Sequence, residues 1–97
     1  MGSDMDEREY HRRAEDAMAA IEAHLEAADA DFEFAAGSVL QVEREDGSKI
    51  IINKQAAAHE IWVAARSGGF HYRWDGDAWR DTRSGEELLA AVSRLLG

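Results

Sequence analysis

Cysteine is absent from this 97-residue chain. That one omission excludes disulfides, thiolate-held metals and thiol catalysis together. It also removes any sign of an oxidising compartment. Proline is absent too, an unusual omission with no consequence for the fold class. No stretch approaches the roughly 20 apolar residues of a membrane span. The start, Met1-Gly2-Ser3-Asp4, has neither a hydrophobic signal core nor an Arg-rich amphipathic presequence. A cytoplasmic location is the expectation. Basic residues are scarce, 11 Lys and Arg against 20 Asp and Glu, for a net charge of −9. Such a balance argues against nucleic acid, whose phosphates need Lys and Arg, and against an anionic membrane surface. The length suits one domain, residues 1–97, with a single modest core. Residues 1–5 are expected to be disordered or vector-derived.

What is present is unevenly placed. Eleven acids and three bases fall in the first 35 positions, nine acids and eight bases in the rest. Residues 6–29 read as a helix, because Tyr10, Ala14, Ala17, Met18, Ile21, Leu25 and Ala28 recur at spacings of three and four. At 100° per residue, His11, Glu15, Glu22, Glu26 and Asp29 fall within about 60° of arc beside that apolar face. A charge run on a helix is ordinarily a solvated face. Here Glu22 and Glu26 repel at i,i+4, and Glu26 and Asp29 oppose the helix dipole. A stripe that costs stability invites a functional reading. Carboxylates suit hard cations held weakly and partly hydrated. His11 and Glu15, one turn apart, would make a slightly softer pair.

The pattern then changes to period two. Asp31-Phe32-Glu33-Phe34 alternates acid and aromatic, with both acids outward. Residues 38–45 form a second strand, and Asp46-Gly47 marks a hairpin. Strands follow at 49–54, 60–66 and 70–74, with a short one around Trp79. A last helix is predicted from near Ser84, where Ser84 and Glu87 fit a capping box. Its buried face is Leu88, Leu89, Val92, Leu95 and Leu96. The class is α+β: a two-layer sandwich of helix, antiparallel sheet of about six strands, and helix, with both helices on one face. Alternation points Ile61, Val63, Phe70, Tyr72 and Trp74 inward. Trp62, Ala64, Arg66, His71 and Arg73 then point outward, with Ile51, Asn53 and Gln55 beside them. An outward Trp among arginines and amides reads as an interaction platform. No nucleophile elbow, phosphate-binding Gly-rich loop or His-Glu-x-x-His motif occurs.

Three blocks carry a family resemblance: Gly47-Ser48-Lys49-Ile50-Ile51-Ile52-Asn53-Lys54-Gln55, His59-Glu60-Ile61-Trp62-Val63-Ala64 and Gly68-Gly69-Phe70-His71-Tyr72. With Glu9-Tyr10-His11-Arg12 at the start and Asp81-Thr82-Arg83-Ser84-Gly85-Glu86 near the end, the chain closely resembles frataxin in its bacterial form. The resemblance implies an iron-binding, non-enzymatic modulator of iron–sulfur cluster assembly. It implies weakly bound iron, Fe(II) or Fe(III), with other divalent cations accepted. The ligands it maps are Glu15, Glu22, Glu26, Asp29, Asp31 and Glu33, to which the stripe adds His11. It implies a cysteine desulfurase and an iron–sulfur scaffold protein as partners. They would be met through Asn53, Gln55 and Trp62, with His71 and Arg73 nearby. A monomer is the expected state, with metal-driven oligomers left open as an alternative. A ferroxidase or iron-storage activity, and a metal-independent acidic interaction module, are the rival readings. Two departures stand out. Ala56, Ala57 and Ala58 replace an acid and a proline common in the family, so a less rigid loop is expected. Glu60 stands where an amide is common and is expected to add a charge to the platform.

Overall fold

A computed structural model describes residues 5–35 and 39–97. The elements run α1 (Glu7–Ala27), β1 (Asp31–Ala35), β2 (Val39–Glu43), β3 (Lys49–Gln55), β4 (Glu60–Ala65), β5 (Gly68–Trp74), β6 (Trp79–Asp81) and α2 (Leu88–Leu96). The strands form one antiparallel sheet in sequential order, β1 to β6. This is the predicted helix–sheet–helix sandwich. Residue 38 of the second predicted strand and residues 1–4 of the predicted disordered start lie outside the described residues. Met5, also assigned to that start, is instead buried in the core.

The sheet's register explains how one face becomes the core. Leu40 pairs Ile52, Ile52 pairs Val63, and Ile61 pairs Tyr72. All five side chains are buried beneath the helices. From α1 come Tyr10, Ala14, Ala17, Met18, Ile21 and Leu25, as the spacing predicts, whereas Ala28 of the same spacing is the exposed C-cap, beyond the last helical turn. Burying each full-size aliphatic chain is worth about 1.5–3 kcal/mol. Phe70 and Trp74 are only partly buried at the margin of this core. Tyr72 is fully buried, and loss of solvation pushes its hydroxyl up to about 12, so it stays neutral.

Both helix ends are set by local chemistry. Asp6 caps α1 by accepting from Glu9 N at 2.8 Å. At the other end Asp29 N reaches Glu26 O and Ala30 N reaches Leu25 O, while Asp29 takes a left-handed φ of 58°. This is a Schellman closure, with aspartate where glycine is usual. Asp29 is therefore the residue that ends the helix and lies outside its 100° periodicity.

The predicted start of α2 is corrected. Ser84 does not cap it: its Oγ accepts from Glu86 N within a turn, and Gly85 has φ 79°. A left-handed residue cannot continue a right-handed helix. The cap is Glu87, whose carboxylate accepts from Leu89 N at 2.9 Å and Ala90 N at 3.0 Å. Its buried residues are Leu88, Ala91, Val92 and Leu95, with Leu89 and Leu96 half-buried. Glu87→Ala is expected to cost about 1 kcal/mol and Ser84→Ala far less, read as urea midpoints. The reverse ranking would restore Ser84 as the cap.

Candidate functional site

The acidic residues of α1 project from a convex surface. Glu26 and Asp29 are exposed and Glu22 is half-buried. Glu15 is already engaged, since Lys54 Nζ on β3 donates to its Oε2. That hydrogen bond, then the lysine's charge, hold the Glu15 carboxyl below its ordinary range. His11 is not brought to Glu15. Its Nε2 lies 3.8 Å from Glu7 Oε2, one turn back. The softer pair expected at positions 11 and 15 is thus replaced by a lysine contact on one side and a Glu7 contact on the other.

Asp31 and Glu33 are exposed, as alternation predicts, but on the other layer. Phe32 pairs Val42 and Phe34 pairs Leu40, both core-facing partners. The strand's acids therefore share the outer face with Gln41, Glu43 and Lys49, around a shallow hollow of about 100 Å³. Phe34 points to the helix side and is 48% exposed, above a groove lined by Met18, Ala19 and Glu22. The helix stripe and the strand acids thus meet around the open β1 edge and do not form one continuous stripe. Among the described residues no three His, Asp or Glu side chains converge in metal-binding geometry. Such an arrangement suits diffuse, hydrated cation contact or long-range attraction of a basic surface.

The outer face of the sheet is organised in rows. Asn53, Trp62 and His71 align across β3, β4 and β5, and Gln55, Glu60 and Arg73 form the adjacent row. All five predicted platform residues thus lie together. On the far side of the tryptophan row, Ile51, Ala64 and Gly69 make a lower one. Trp62 stacks on His71 at 4.4 Å with planes 10° apart. It is half-buried, and its Nε1 donates to Glu60 Oε1 at 2.7 Å.

Glu60 differs from expectation. It adds no exposed charge to the platform, because it is only 6% exposed. Arg73 donates to its Oε2 from Nε at 3.1 Å and from Nη2 at 2.7 Å. His71 Nδ1 stands 3.7 Å from Oε1. Strand alternation could have flagged this group, since Glu60, Trp62, His71 and Arg73 all point outward in neighbouring pairs. Behind it, residues 56–58 form a 3₁₀ turn ended by His59 at φ 54°. The His59 ring stacks on Tyr10 at 5.0 Å, and Tyr10 Oη donates to Glu60 O at 2.8 Å. The alanine run is thus followed by a residue fixed to α1.

A family model described as a frataxin-like domain matches residues 3–97. The iron-sulfur cluster assembly protein CyaY of Dechloromonas aromatica is 57% identical over 93 residues, spanning 94% of this chain and 89% of that protein. The protein of the same name in Cupriavidus pinatubonensis is 63% identical over 76 residues, 77% of this chain and 68% of that one. A solved frataxin from Psychromonas ingrahamii superposes with a TM-score of 0.82 at 36% identity, covering 93% of this chain and 87% of that one.

Proposed function

This chain belongs to the frataxin family, of the bacterial CyaY type, and from that premise we propose that it modulates iron–sulfur cluster assembly as an iron-binding docking protein without enzymatic activity. The relatives' printed names supply the process. The observation that carries the rest is the division of labour on the surface. One side is an open acidic region around α1 and the β1 edge, and the other is a preformed row of Asn53, Trp62 and His71. Carboxylates on a convex helix favour iron held weakly and exchangeably, as a cargo or signal, over iron enclosed for redox turnover. With no cysteine, the chain has no thiolate to ligate a cluster or carry sulfur. It would act on components that do: a cysteine desulfurase, attracted by the acids, and a scaffold protein, met by the tryptophan row. The setting would be the cytoplasm.

Titration with Fe(II) under anaerobic conditions, followed by amide NMR, tests the metal side. Signals of residues 22–31 are expected to shift or broaden first. Silence there, with movement around Trp62, would sink the metal assignment. The engagement of Glu15 by Lys54 favours a second reading, in which the acids serve docking alone. That reading predicts salt-sensitive partner binding that a chelator leaves unchanged, whereas the iron-dependent one predicts a loss.

A further inference from the structure

We propose that Glu60 is a positioning residue: it fixes the indole of Trp62 in the orientation that a protein partner meets. Glu60 is the one buried charged residue among the described residues. A carboxylate leaves water at a high cost unless its oxygens are matched by donors. Here both are matched, and the two have different tasks. Oε2 takes both Arg73 donors, which neutralise the charge. Oε1 takes the Trp62 indole N–H at 2.7 Å. A tryptophan side chain has two rotatable bonds. One short bond from its single N–H to a charged acceptor, plus a face stacked on His71, leaves neither bond free. Neutralisation by Arg73 lets the carboxylate stay buried, and the carboxylate then holds the tryptophan.

The consequence concerns binding. A Trp already held in one orientation, stacked on His71, spares a partner the cost of ordering it, about three- to tenfold in affinity for one large side chain. The role rests on the reading of the outer face as a docking surface. A simpler possibility is that Glu60 and Arg73, which face each other in the β4–β5 register, only hold the hairpin together. The two differ in what happens at the indole.

The experiment uses the full chain with Glu60→Leu and Glu60→Gln. Leucine removes the acceptor, whereas glutamine keeps an oxygen for the indole. Two readouts are taken: solvent exchange of the Trp62 Nε1–H by NMR, and affinity for a purified cysteine desulfurase–scaffold complex. In Glu60→Leu the indole proton is expected to exchange at least tenfold faster and affinity to fall three- to tenfold. Glu60→Gln should recover most of both. In a Trp62→Phe background, which has no indole N–H, Glu60→Leu should change affinity by less than twofold. Glu60→Met carries the same test should the leucine variant not fold. Unchanged exchange in Glu60→Leu overturns the proposal, as does an equal affinity loss with and without Trp62. If the unaltered protein does not bind the complex, the functional reading fails, while indole exchange still decides whether Glu60 positions Trp62.

Discussion

Tyr10→Ala is expected to remove about 3–5 kcal/mol of folding stability, the usual cost of deleting a fully buried aromatic ring. Tyr10 has no exposed surface, and it joins three parts of the molecule. Its ring stacks on His59 and meets the edge of Trp79 at 6.1 Å. Its hydroxyl donates at 2.8 Å to the carbonyl of Glu60, the first residue of β4. A domain of this length has a total stability of about 5–15 kcal/mol. The alanine variant should therefore lose about a fifth or more of its margin and melt tens of degrees earlier. Tyr10→Phe separates the terms. It keeps the ring and removes only the hydrogen bond, so about 1 kcal/mol should go, or roughly 4–8 °C in Tm. Urea unfolding of the three proteins gives both differences. If phenylalanine cost as much as alanine, the polar contact to β4 would outweigh the packing, against the burial argument.

The same residue shows how far the sequence could be read. Tyr10 is recognisable as core because it begins a helical spacing that continues through Ala14, Ala17 and Ile21. Strand order is also legible, because short turns force neighbouring antiparallel pairs and alternation then decides the faces. What Tyr10 touches is not legible: its partner lies 50 residues away, and local pattern carries no such distance information. The same limit explains the capping error. Ser-x-x-Glu looks alike whether or not the intervening glycine turns left-handed, and here Gly85 does. It explains Glu15 too, whose position on a helical wheel is correct but whose lysine comes from β3. Asp31 and Glu33 follow the stripe closely in sequence, but closeness in sequence does not decide a face. Pairing of Phe32 and Phe34 with core-facing residues puts those acids on the opposite layer. The outward placement of Asn53, Trp62 and His71 is the most legible, because it follows from a period-two pattern on adjacent strands.

Trp62→Ala is expected to leave the domain folded and to weaken binding to a desulfurase–scaffold complex about 30-fold or more. Truncating a central Trp in an interface typically costs 2 kcal/mol or more. The folded state should tolerate the change. Trp62 lies on the outer face, and the core beneath β4 is held by Ile61 and Val63, both buried. The change also releases the Glu60 oxygen that accepts the indole, but Arg73 still neutralises the carboxylate, and solvent can reach the vacated space. A modest stability loss of about 1–2 kcal/mol is therefore expected, measured by urea unfolding of the same preparation. Isothermal titration with the complex gives the affinity. A large loss of stability with it would make Trp62 a core residue. Unchanged affinity in a folded protein would move the docking surface elsewhere, and the acidic side around α1 and β1 would then have to carry partner binding alone. Salt separates these outcomes. Binding through the tryptophan row should persist as ionic strength rises, because stacking and apolar contact are not screened, whereas attraction by Glu22, Glu26 and Asp29 fades over a Debye length of about 10 Å at 0.1 M salt.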